Sequence, residues 1–496
     1  MRPSWLTGLV QWFRGSKGET STKEAHAAPP ERSEPAARQR PPHEDQAEAA
    51  APPPATAPQQ VPPVKRSRGA TDVVMGLDFG TSCSKVVVQT PFLAGGRALA
   101  IPFDVSRRGI GRFLAPTNLV AGADGEPALG RPVDASEDWK SIKVDLMEQP
   151  ESRDSRARAA AYLALVIRDA MTRYLDHERR NLEGFDLRWE MNVGIPSAGY
   201  DDARIRSSFL RTARAAWALA TSGEPIRLAR AAELVDAEMD LPAIDVVPEV
   251  AAEVVGYARS SYRRSGLHLL VDVGASTVDV CGFILDEREG DTQYALLTAL
   301  VERRGAHELH RARIRGIQRL NPSALRADIR NEDLSDPSAA IPGSISAYVS
   351  ASGLDRELAL IEEPLIAGCR EQVMRCLKDL KKHRYPNAPE WRTGLRVFLC
   401  GGGAHVDAYV EALADANRST LNAGWANEPL VIGPLPVPPR LENPHIGEGD
   451  FQRLAVAYGL SFSRIDIGTI LPPEQIPDVP PKMRKAEVEF VSKDLV

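Results

Sequence analysis

Three glycine-rich strings at domain-scale separations constrain this chain more than any other feature. They are GLDFGTSCSK (Gly76 to Lys85), VDVGASTVDV (Val271 to Val280) and VFLCGGGAHVDAYVEAL (Val397 to Leu413). In the first two, valine-rich runs flank a turn of glycine and hydroxyl residues: VVMGLDF with KVVVQ, and HLLVDV with TVDVCGFIL. That pattern predicts two strand hairpins, hence two related halves of mixed α/β structure. A glycine turn lets main-chain N–H groups approach phosphate oxygens that a side chain would hold away. An aspartate closing the preceding strand can hold a hydrated magnesium ion, the companion of a bound triphosphate. Asp78 and Asp272 occupy equivalent positions, so two hairpins are expected to grip one triphosphate from opposite sides.

Composition divides the chain. Of 39 prolines, 12 precede Asp72, in company with alanine, glutamate and glutamine. Residues 18–71 therefore lack the apolar surface to offset chain entropy and are predicted to be a disordered tether. Residues 72–470 alternate strand-like runs, short turns and helical stretches, the latter at Ala157 to Glu178, Ile205 to Ala220 and Ile366 to Arg384. Residues 471–496 are punctuated by proline and are expected to be an extended tail. At the other end, MRPSWLTGLVQWFRGSK (1–17) places Trp5, Leu6, Leu9, Val10, Trp12 and Phe13 in an arc of roughly 160° on a helical wheel. So short an amphipathic helix needs a surface to form on, either a membrane interface or a groove on a partner.

A net charge of −6 and the lack of a basic block in the globular part argue against a nucleic-acid binder. The five cysteines are odd in number and contain no C-x-x-C pair, which fits a reducing compartment without disulfides or a zinc knuckle. No run of about 18 apolar residues occurs, so the expectation is a cytoplasmic protein that touches a membrane, if at all, peripherally through residues 1–17.

Taken in order, these motifs resemble the actin-like ATPase superfamily, and within it the nucleotide-binding domain of DnaK-type (heat shock protein 70 kDa) chaperones. Asp78, Gly80, Thr81 and Ser82 resemble that family's first phosphate loop. Asp272, Gly274, Thr277 and Asp279 resemble its second, with Ala275 and Ser276 replacing the family's middle glycines. Gly401, Gly402 and Gly403 resemble its adenosine motif. NVGIPSAGYDDARIRSSFLRTA (Asn192 to Ala213) and RLAVAYGLSF (Arg453 to Phe462) are similar to its two connecting segments, so the resemblance runs from about Val73 to Phe462.

The resemblance implies a bilobed actin-like ATPase fold, with two related mixed-sheet halves around a nucleotide cleft. It implies phosphate contacts at Gly80, Thr81, Ser82, Gly274, Ala275, Ser276 and Thr277, and the nucleoside on Gly401 to Gly403. Mg2+ would be held by Asp78, Asp272 and Asp279, with Asp272 also serving catalysis. SIKVDLM (Ser141 to Met147) is similar to the segment that carries a phosphate-contacting lysine, here Lys143. The family's water-positioning glutamate precedes a proline; Val247 holds that position before Pro248, and Glu249 is the nearby candidate. Adenine contacts have no counterpart that can be placed in the roughly sixty residues between Gly305 and Glu362. Only a short tail follows the second connecting segment, so the chain is not expected to be a complete foldase. The expected function is an ATP-binding switch that hydrolyses ATP to ADP and controls a protein partner. The alternative is a membrane-attached, filament-forming structural protein. A small-molecule kinase is less favoured, because the connecting segments are chaperone-like.

Overall fold

In the computed structural model, both valine-rich runs pair as hairpins. Residues 68–471 and 475–476 are described, except 94, 122–125, 130–136, 333, 335, 337–338, 351–353, 444–445 and 448. The amphipathic 1–17 segment, the tether up to residue 67 and nearly all of the 471–496 tail lie outside the described residues. The first strands are β1 (Ala70–Asp78), β2 (Cys83–Gln89), β3 (Ala98–Ala100) and β4 (Ala115–Pro116). A small three-stranded sheet that the sequence did not announce follows, with β5 (Leu119–Ala121), β6 (Pro127–Leu129) and β7 (Glu137–Trp139). Next come β8 (Asp186–Ile195), β9 (Ile244–Pro248), β10 (Gly266–Val273), β11 (Val278–Arg288) and β12 (Asp291–Glu302). The last are β13 (Arg396–Cys400), β14 (Val431–Gly433) and β15 (Thr469–Leu471). β1 begins at Ala70, inside the expected tether, because Ala70 and Thr71 already pair with Asp186 and Leu187.

The two large sheets repeat one topology. The first runs β3-β2-β1-β8-β9 and the second β12-β11-β10-β13-β14, with β15 added beyond β12. In each, the hairpin is antiparallel and the next two strands lie parallel to its first strand. The molecule thus has two roughly symmetric lobes, each a mixed sheet surrounded by helices. Helices Arg153–His177 and Ala203–Thr221 cover the first sheet, each starting on a capped turn where Ser152 or Asp202 accepts a backbone N–H. Helices Asp355–Asp379 and Asp407–Asn422 cover the second.

The sequence expectation started the third helix at Ile366; it starts at Asp355 and runs through Pro364. Proline frees the carbonyl four residues earlier. That residue is Leu360, which faces solvent, where water can take the bond. The helix ends at Asp379 in a wider turn, Leu380–Arg384, whose Leu380 fills the space above Gly282 of β11.

A central layer sets the distance between the lobes. Helices Glu249–Ala258 and Ala455–Leu460 share one core with Val87 and Ala98 of the first sheet and Leu270, Phe283 and Phe398 of the second. They cross where a side chain at Gly459 would collide with the Ala252 carbonyl, and Gly76 of β1 likewise leaves room for the Ala455–Leu460 helix. Gly459→Ala is expected to cost about 1–3 kcal/mol by overpacking this crossing. Urea denaturation measures it, and a loss below about 0.5 kcal/mol, the range of an ordinary surface change, would contradict the close crossing.

Candidate active site

The repeated hairpins aim their turns into one cleft. Gly80, Thr81, Gly274, Ala275, Thr277, Gly401 and Gly402 all line it, together with Ser82, Lys143, Glu249 and the three aspartates. Each turn is built for close approach. A side chain at Gly80 would strike the Cys83 carbonyl, and Thr117 steadies the loop by donating to the Gly80 carbonyl at 2.8 Å. In the second hairpin the Gly274 N–H donates to the Thr277 carbonyl at 2.9 Å. The N-terminus of helix Ala306–Leu320 abuts this turn, the Ala306 N–H donating to the Gly274 carbonyl at 2.9 Å and the His307 N–H to the Ala275 carbonyl at 2.8 Å. Gly305 permits that contact, since a side chain there would meet the backbone of Ala275 and Ser276.

The third turn leans on the second. β13 is parallel to β10, with Cys400 opposite Asp272, and Gly401 adopts φ +81° directly beside the Asp272 carboxylate. Only glycine fits there, on grounds of both backbone and space. The Gly403 N–H closes the turn onto the Val273 carbonyl at 2.9 Å.

Register explains which charges face each other. Both hairpin turns have the same length, so the residue seven positions after the strand-ending aspartate lies directly opposite it. Opposite Asp78 is Lys85, whose Nζ donates to Asp78 Oδ2 at 2.9 Å. Opposite Asp272 is Asp279, which accepts from Thr277 Oγ1 at 3.0 Å. Lys143, on helix Ile142–Glu148, donates to Glu249 Oε1 at 2.7 Å, and Glu249 begins the central-layer helix. Burial works against the Lys143 charge, but Glu249 and Asp78 outweigh it and hold the ammonium above its ordinary range. Burial pushes Glu249 up despite the Lys143 ammonium beside it.

Negative charge is in excess. Burial, followed by Glu249, pushes Asp272 up to about 7, and burial with Asp272 does the same for Asp279. Glu253, a turn beyond Glu249 and also lining the cleft, is pushed well above its usual range by burial and Asp272, and its Oε1 has no hydrogen-bond partner. Such a set calls for a cation. Among the described residues no three or more His, Cys, Asp or Glu side chains stand close enough to ligate an ion directly. A metal ion in the cleft would therefore be held through waters and not in a closed cage of side chains. Cys83, in the first turn, is buried and its thiol pushed up, so it is no thiolate nucleophile.

Beyond Gly401 and Gly402 the cleft continues into a second cavity of about 920 Å³, the size of a small-molecule site. One of its walls, Ala340 and Pro342 to Ala347 with Leu358, Ala359 and Glu362, comes from the segment the sequence left unassigned. Fully buried Arg313 donates to Glu362 Oε1 at 2.9 and 2.6 Å and to the Pro342 carbonyl at 2.6 Å, pinning helix Ala306–Leu320, the 342–343 loop and helix Asp355–Asp379 together. Arg453 lines both cavities. Lys85, Glu253, Gly305, Arg313 and Arg453 are thus residues that the sequence reading gave no role. Lys85 alone had a signal, its mirror position to Asp78 across the turn. All five cysteines are buried and unpaired, and no helix of the described residues is long and apolar enough to cross a membrane. No protein-family model matches the chain and no curated protein matches it.

Proposed function

We propose that this chain is an ATP-binding switch with the actin-like ATPase fold, similar in plan to the nucleotide-binding domain of DnaK-type chaperones. One observation carries the reading: two sheets of identical strand order turn equivalent glycine hairpins toward a single cleft. Main-chain N–H groups of Gly80 to Ser82 and Ala275 to Thr277 bind the phosphates from opposite lobes, while the Gly274 N–H closes the second turn onto the Thr277 carbonyl. Asp78, Asp272 and Asp279 would hold a hydrated Mg2+, which would supply neutralising charge to the bound phosphates. Lys85 and Lys143 add fixed positive charge, Glu249 orients the attacking water, and Gly401 and Gly402 seat the nucleoside at the mouth of the second cavity, with Gly403 buried and closed onto Val273 outside the lining. Because each lobe supplies one hairpin, nucleotide draws the lobes together, and its hydrolysis to ADP releases them to change affinity for a protein partner.

Melting with and without ATP and magnesium tests this. A ligand at a hundred times its dissociation constant adds about 2.7 kcal/mol, and Asp272→Ala is expected to remove that gain. An unmutated protein that gains nothing at millimolar ATP would sink the reading. ATP-dependent sedimentation would instead favour a filament former with the same cleft.

A further inference from the structure

The cleft and the second cavity share Ala340, Gly401, Gly402 and Arg453, and of these only Arg453 carries a side-chain charge. It ends the turn Asp450–Arg453, which leads into the central helix Ala455–Leu460. Its chain neighbours are pinned. Gln452 accepts the Leu435 N–H at 3.0 Å and donates to the Leu435 carbonyl at 2.9 Å. Phe451 and Leu454 are buried, Phe451 edge-on against Tyr458. Gly402 leaves the guanidinium its place, since a Cβ there would lie 3.4 Å from Arg453 Nε.

The guanidinium is uncommitted. Lys85 and Lys143, the other lysine or arginine side chains of the cleft, are tied to Asp78 and Glu249. Arg453 makes no hydrogen bond and no ion pair among the described residues. Burial works against its charge, and nearby Asp450 and Asp336 offset this only in part. A sheltered cation without a partner is costly in the empty protein and is relieved by an anion.

We propose that Arg453 binds the α-phosphate of the nucleotide. This role rests on nucleotide binding in the cleft and follows from the order of groups along the ligand. With the β- and γ-phosphates between the hairpin turns and the nucleoside in the second cavity, the group at the junction is the α-phosphate. Its oxygens suit the planar fork of a guanidinium. ATP, ADP and AMP all carry that phosphate, so Arg453 strengthens all three alike and retains the product of hydrolysis as well as the substrate.

The test is calorimetric titration of the full chain, without magnesium, with adenosine and with its 5′- and 3′-monophosphates, which carry the same charge in different places. Arg453→Met is expected to weaken the 5′-monophosphate about thirtyfold, leaving adenosine and the 3′-monophosphate within about twofold. Arg453→Lys, which keeps the charge and loses the fork, should fall between. With magnesium, ATP and ADP should lose the same factor as each other. Melting of the nucleotide-free variants separates binding from folding: because the guanidinium has no partner to lose, Arg453→Met should melt no lower than the unmutated chain. Equal weakening of the two monophosphates would mean a charge acting at a distance and would overturn the assignment. So would unchanged binding of the 5′-monophosphate, or a lower melting temperature with unchanged preference for it over adenosine, which would make Arg453 a counter-ion of Asp450. In each of those cases the unmutated chain still binds nucleotide; failure of the unmutated chain to bind any of these ligands would overturn the nucleotide reading as well.

Discussion

Raising the pH from about 5 to about 8 is expected to destabilise the nucleotide-free protein through its cleft aspartates, by on the order of 3 kcal/mol for Asp272 alone. Burial and the neighbouring carboxylates put Asp272 and Asp279 at about 7 in the folded chain, against 3.8 for the free side chain. Below about 3.8 both states are protonated and the full contribution is present. Between the two values the folded state binds more protons than the unfolded, so stability falls as pH rises and the contribution is gone above about 7. His268 works the other way in the acid half of this window. Burial lowers it to about 4, so its neutral form stabilises above about 6.5 and that stability is lost as pH falls. The clean measurement is therefore a difference. Urea unfolding of the unmutated chain and of Asp272→Asn, which stays neutral at every pH, should give curves whose separation changes by about 3 kcal/mol across the window. Magnesium with ATP should flatten the unmutated curve at alkaline pH, because a cation favours the ionised carboxylates. Parallel curves would mean that Asp272 is not held under excess negative charge.

How much of this was legible in the sequence follows from the range of the forces involved. The hairpins were legible because valine-rich runs and glycine turns are local signals, and the equal length of the two turns fixed which residues would face each other. Asp78, Asp272 and the glycines could be named for that reason. Lys85 was equally fixed by register, yet its role needed the recognition that it sits where Asp279 sits in the other lobe. Arg313 and Glu253 lie beyond such reasoning. A buried arginine reads as a surface residue until Glu362, 49 positions away, is brought to it. A glutamate on the central helix reads as solvated until two sheets enclose it. The third helix begins eleven residues before the expected Ile366 and carries Pro364 inside it, where Leu360, four residues earlier, is exposed to solvent.

The buried pair of Lys143 and Glu249 gives the sharpest separation of folding from chemistry. Their side chains are 6% and 17% exposed and 2.7 Å apart. Lys143→Met leaves the Glu249 carboxylate buried beside Asp78 without its counter-charge, and breaking such a pair typically costs about 3–5 kcal/mol. Adding Glu249→Gln removes the orphaned charge, so the double variant should regain most of that stability; replacing both partners of a buried pair is often close to neutral. Activity should not follow. If Lys143 faces the transferring phosphate, both variants lose its positive charge where negative charge develops, and turnover should fall about a hundredfold in each. The double variant is the decisive one, being folded but without the lysine. Recovered stability with turnover still well below that of Glu249→Gln alone, which lacks only the water-orienting carboxylate, would assign Lys143 to phosphate chemistry. Recovered stability with recovered turnover would make Lys143 the counter-ion of Glu249 and nothing more. A double variant as unstable as the single would show that the buried ammonium, and not the unpaired carboxylate, is what the cleft requires, since the remaining negative charge of Asp78, Asp272 and Asp279 would then lack its main compensation in the resting protein.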